Sequence, residues 1–202
     1  MRLVIALTLL AAFSPSQWVG AAEPGLPACK VINMDYTAWS NFPKGTAIVV
    51  KTVGSGSGVA YKTLKEWKIT ETTTLLEASP DKIELEIETT RQEDGGKDVK
   101  LPPRKVKHAR LIDAPSGGRP AGKAEGLTET EEKTITVGGK PFKVKGTRVE
   151  EANFDAEGST HVIVTWQSDE VPGRLIRRIG EMTGTYWYKE SVELLKITKP
   201  VK

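Results

Sequence analysis

The chain is short of the residues that usually build reactive or metal-binding sites. Among 202 residues there is one cysteine, Cys29, and there are two histidines, His108 and His161. A single cysteine excludes an intrachain disulfide, so the fold must be held by burial and strand pairing. Two isolated histidines outside any ligand-spaced cluster give no zinc signature, and both read as ordinary strand residues. Charge of one sign is also scarce: 29 Lys and Arg face 26 Asp and Glu, a formal net charge of +3. Nucleic acid is therefore not the expected partner, because phosphate binding calls for a pronounced basic excess. Long apolar runs are missing too. The longest, residues 3–13, is interrupted only by Thr8, and a membrane span needs roughly 20 residues.

That apolar run has a different meaning. Arg2 precedes it, and Gly20-Ala21-Ala22, or alternatively Val19-Gly20-Ala21, offers small residues for cleavage. Residues 1–22 read as a secretory signal peptide, with the mature chain starting at Ala22 or Glu23 in the periplasm or outside the cell. Leu26-Pro27-Ala28-Cys29 has part of the look of a lipid-attachment box but lies well beyond Phe13. Cys29 is expected to be an inert thiol or an intermolecular partner rather than a lipid anchor. About 180 residues remain, enough for one domain with a substantial core.

Residues 23–45 read as a Pro-rich leader followed by one short helix over residues 35–39, capped by Asp35 and ended before Pro43. From 46 to 202 the pattern has period two. Residues 82–90 alternate Ile83, Leu85 and Ile87 with Glu84, Glu86 and Glu88, which predicts one buried and one wet face. Residues 61–78 predict a long strand with Trp67, Ile69 and Leu75 on one face, joined to its neighbour by a turn at Ser79-Pro80-Asp81-Lys82. Further reversals are predicted at residues 93–97, at Gly138-Gly139, at residues 155–158 and at Val171-Pro172-Gly173. Pro102-Pro103 demands an edge or a bulge. Residues 113–126 read as the longest loop.

Eight or nine strands joined mainly by short reversals predict a mostly β protein: a single curved antiparallel meander, half-barrel or barrel-like, with one short N-terminal helix. Long amphipathic strands with little helix to cover them leave two uses for the aromatic and aliphatic face. It is either packed core or a surface for an apolar ligand or a protein segment. On the second reading the contact residues are Trp67, Ile69, Ile83, Leu85, Ile87 and Trp166. No catalytic, metal or cofactor signature emerges. Gly54-Ser55-Gly56-Ser57-Gly58 lacks the Gly-Lys-Ser/Thr ending of a phosphate loop and the spacing of a nucleophile elbow, and reads as a flexible hairpin connection. Asp155 and Glu157 miss the EF-hand pattern. The basic stretch Lys100, Arg104, Lys105, Lys107 and Arg110, the acidic Glu129, Glu131 and Glu132, and the pair Asp169-Glu170 read as solvated surface. The alternatives are an envelope structural protein pairing through an edge strand, and an envelope hydrolase with convergent polar residues in a cleft.

One stretch also carries a resemblance. Trp166-Gln167-Ser168-Asp169-Glu170-Val171-Pro172-Gly173, continued by Arg174 to Arg177 and later by Ser191-Val192-Glu193-Leu194-Leu195, resembles a segment of certain secreted bacterial β-rich proteins of unassigned function. Residues 61–77 and 131–145 are similar to the same group. A tryptophan strand, an acidic turn with proline and a basic-apolar strand are more distantly similar to periplasmic lipoprotein carriers, whose helix-plugged half-barrels shelter acyl chains. That likeness implies a curved sheet. With one short helix here, it implies neither a lid nor any transferable functional residue.

Overall fold

The computed structural model describes residues 30–58, 61–113, 128–129, 132–151, 160–184 and 187–200. Residues 1–22, predicted as a signal peptide, Cys29, most of the predicted 113–126 loop and the predicted 155–158 turn lie outside them. In chain order the elements are β1 (Lys30–Ile32), α1 (Met34–Ser40), β2 (Ala47–Gly58), β3 (Tyr61–Ala78), β4 (Lys82–Glu93), β5 (Val99–Lys100), β6 (Arg104–Ala109) and β7 (Leu111–Asp113). They continue as β8 (Thr128–Glu129), β9 (Lys133–Val137), β10 (Lys140–Glu151), β11 (Thr160–Gln167), β12 (Leu175–Thr183) and β13 (Trp187–Thr198).

The main sheet is antiparallel throughout and runs β5-β4-β3-β2-β13-β12-β11-β10-β8, with β6 paired to β4 and β9 to β10. Two meanders, β2 to β6 and β8 to β13, therefore meet at a central β2–β13 ladder. The β5/β6 and β8/β9 edges are not paired with each other, so the sheet is not closed into a barrel. β3 is 18 residues long, about 60 Å of extended chain. Bulges at Leu75/Glu77 and Leu194/Lys196 break its regularity and that of β13. Pro102-Pro103 stops β5 and β6 from being one strand, as a residue without a donor requires.

Local chemistry sets the reversals. Gly138 and Gly139 both take positive φ, 54° and 80°, and give the tight β9–β10 hairpin. Gly173, at φ 74°, follows Pro172 in the turn that Arg174 N–H closes on Val171 C=O at 2.8 Å. At the end of β4 the left-handed residues are Asp94 and Gly95 rather than the glycine pair Gly95-Gly96. The cap of α1 is Asn33, whose Oδ1 accepts from Asp35 N–H at 3.0 Å. Asp35 instead sits in the first turn, 3.3 Å from His108 Nδ1 of β6.

The core gathers at the end of the sheet that α1 covers. Trp39 and Ala38 of α1 pack with Ile48, Leu75, Ile83, Leu85, Ile176 and Leu194 of the long strands, with Val171 of the β11–β12 turn, and with Phe142 and Val144 of β10. Leu75, Ile83 and Val171 have no exposed surface. Tyr36 Oη secures the helix to the β3–β4 turn, donating to Ser79 C=O at 3.0 Å.

Candidate functional site

The register shows which predicted residues meet. Trp67 pairs with Glu93, Ile69 with Arg91, Thr73 with Ile87 and Leu75 with Leu85. Trp67, Ile69, Leu85 and Ile87 thus share the face that α1 covers, and Ile83 follows Leu85 at period two. Following the ladder across the sheet, Ile69 lies opposite Thr52, Thr52 opposite Val192, Val192 opposite Arg178 and Arg178 opposite Thr165. Trp166, next to Thr165, alternates out of that row and is half-buried against the core cluster, with Lys133 Nζ 4.1 Å from its ring centre and Arg177 at 5.8 Å. Of the other five, Ile83 and Leu85 are consumed by the core, at 0% and 4% exposed. Only Trp67, Ile69 and Ile87 remain half-buried on the far part of that face.

Gly54 to Gly58, expected as a connection, instead form the outer half of β2, paired to β3 on one side and β13 on the other. Alternation puts the glycines on the helix-side face and the serines on the opposite face. The glycines are required by a ring: a Cβ on Gly54 would come within 2.4 Å of Trp67 Cε2 and Cζ2, so the indole lies directly on the β2 backbone. Tyr188 leans similarly over Gly180, with its hydroxyl meeting His161 Nε2. Burial pushes the Tyr188 phenol up to about 12, with the Glu190 charge adding to it and Arg178 opposing. Arg178 and Glu190 pair beside it at 2.9 Å.

On the serine face the same thin strand leaves a trough of about 560 Å³. Val53 and Ser55 of β2 form its floor. Glu66 and Lys68 of β3, with Gln92 of β4 beyond them, form one wall, Lys189 and Ser191 of β13 form the other, and Gly54 and Trp67 complete the lining. The turn at Asp94-Gly95 closes one end. The floor is low because Val53 and Ser55 are short while their neighbours, about 4.8 Å away on either side, are long. Asp94 is fixed there: Lys65 Nζ lies 2.5 Å from its Oδ2 and Glu66 N–H donates to its Oδ1 at 3.0 Å. The Lys65 hydrogen bond, then that from Glu66 N–H, holds its carboxyl below the usual range. A smaller groove of about 300 Å³ lies at the β4–β5 edge beside Arg91, Val99 and Leu101.

Among the described residues no three His, Cys, Asp or Glu side chains are placed to share a metal ion, and no helix is long and apolar enough to cross a membrane. No family model matches the chain, nor does any curated protein. Among solved structures the chain is similar to that of a candidate lipoprotein from Parabacteroides distasonis ATCC 8503. Identity is 12% and the TM-score 0.39, over 78% of this chain and 97% of that one. By composition the Gly-Ser run reads as a connection, which hides the trough in the sequence. Its period of two is itself a strand signal.

Proposed function

We propose that the protein is an exported, non-catalytic binding protein whose working surface is the far half of the sheet, with the β2 trough as its ligand site. The observation that carries this is the thinning of a central strand into an open trough. A volume of about 560 Å³ falls within the ~300–1,000 Å³ typical of ligand sites. Ile83 and Leu85 on the helix-side face are unsuited to the same role because they are already packed in the core. Asp94, whose carboxyl Lys65 holds below the usual range, is unsuited to act there as a general acid, which needs a carboxyl raised toward neutral pH.

Native mass spectrometry of the protein purified from its own host tests the proposal, together with carbene footprinting before and after ligand removal. The expected result is a co-purifying species whose loss increases labelling at Val53, Ser55, Lys68 and Lys189. A consistently ligand-free monomer, or protection confined to other surfaces, would overturn it.

A further inference from the structure

The chemistry of the trough discriminates among occupants, and we infer that it takes a neutral, polyhydroxylated chain, a glycan, held through its hydroxyl groups. This rests on the trough being the binding surface proposed above. A polypeptide adding as a strand has no edge to use there. Val53, Gly54 and Ser55 are paired to β3 and to β13 at once, so their ladder groups are already committed. A polyanion gains little, because Lys189 is paired with Glu181 at 3.9 Å, Lys68 is offset by Glu66, and Asp94 is already neutralised by Lys65. An acyl chain would find Val53 on the floor and Trp67 in the lining, but would strip water from the ammonium and carboxylate groups of both walls without replacing it.

A sugar chain has what this lining needs. Every ring offers donors and acceptors together with an apolar C–H face. Ser55 and Ser191 both donate and accept, Glu66 accepts, and Lys68 and Lys189 donate. Gln92 spends one amide N–H on Gly96 C=O at 2.8 Å and keeps its carbonyl and second N–H available. Because the floor is short, a ring settled on Val53 brings its hydroxyls level with both walls.

Isothermal titration and affinity electrophoresis with cellohexaose, maltohexaose and chitohexaose test this, with polygalacturonate and dodecanoate as the anionic and acyl controls. At least one neutral hexasaccharide should bind more tightly than about 1 mM, and neither control should. Lys68→Ala and Lys189→Ala, both at exposed positions away from the core, should each weaken that binding by about five- to tenfold with an unchanged circular dichroism spectrum. Ser55→Tyr, which fills the floor, should abolish it. Failure of all three neutral hexasaccharides overturns the glycan assignment, as does binding that is indifferent to all three substitutions. If host-purified protein carries a peptide, lipid or anionic species protecting the same residues, the trough stands as a binding surface and the glycan inference alone fails.

Discussion

The two halves of the long strands obey the same alternation yet are held together in different ways. Near α1, the helix-side face carries Ile48 on β2, Leu75 on β3, Ile83 and Leu85 on β4 and Leu194 on β13, all buried. Further out on the same strands and the same face stand Gly54, Trp67, Arg91 and Glu190. The near half is stabilised by burying aliphatic side chains under a helix, two turns and a hairpin. The far half replaces that core with rings laid on glycines, the Arg178–Glu190 pair, the Tyr188–His161 contact and a hydrogen bond from Thr89 to Glu71 at 3.1 Å. A sheet therefore need not be covered along its full length, provided that side chains on its uncovered part lie flat and satisfy one another.

The largest effect should come from the near half. Leu75→Ala removes a side chain with no exposed surface, and the loss of buried methyl groups plus the cavity should cost about 2–5 kcal/mol in urea denaturation. Ile69→Ala, three cross-strand pairs away on the same face and half-buried, should cost much less. Equal losses would mean that the two halves share one core, and the contrast drawn above would fall.

The next effect sharpens how the far half is built. In Gly54→Ala the new methyl must displace a rigid indole that lies 2.4 Å from its position, which should cost about 1–3 kcal/mol. The same substitution made in a Trp67→Ala background should cost almost nothing, since the two residues act as one unit. Additive losses would show that the glycine serves something other than the ring.

Much of the fold was legible in the residues. Strand β3 begins and ends where the pattern at 61–78 puts it, the 82–90 alternation buries Ile83 and Leu85, and Gly138-Gly139 turns a hairpin. All three are local signals. The central β2–β13 ladder joins residues far apart in sequence, and no local pattern announces it. Trp166 and Trp67 look equivalent in sequence because both are aromatic strand residues. That they stand in different rows depends on the register accumulated over five strands, where a shift of one residue reverses a face. Asn33 took the cap expected of Asp35 because helix starts are set by which side chain reaches the second N–H, and either type serves. The trough depended on seeing that short residues stand between long ones on neighbouring strands, which requires the strand order.

The smallest expected effect concerns the polar contact that holds the far ends of β11 and β13 together across β12. The Tyr188 phenol titrates at about 12 in the folded protein against 10.0 in the unfolded chain. Below about pH 10 both states keep the proton and the contact contributes in full. Between about pH 10 and 12 the unfolded chain releases its proton first, so it binds fewer protons than the folded state and stability falls as pH rises. The side chain is only about half-buried, so the fall should be smaller than the shift alone implies. Tyr188→Phe should start lower by about 1 kcal/mol, from the lost hydrogen bond to His161, and should lack this part of the alkaline decline. The urea midpoints of the two proteins should therefore converge as the pH approaches 12. Parallel curves would show that the contact contributes nothing that ionisation can remove, and that the far half stands on its ladder and its glycine-seated rings alone.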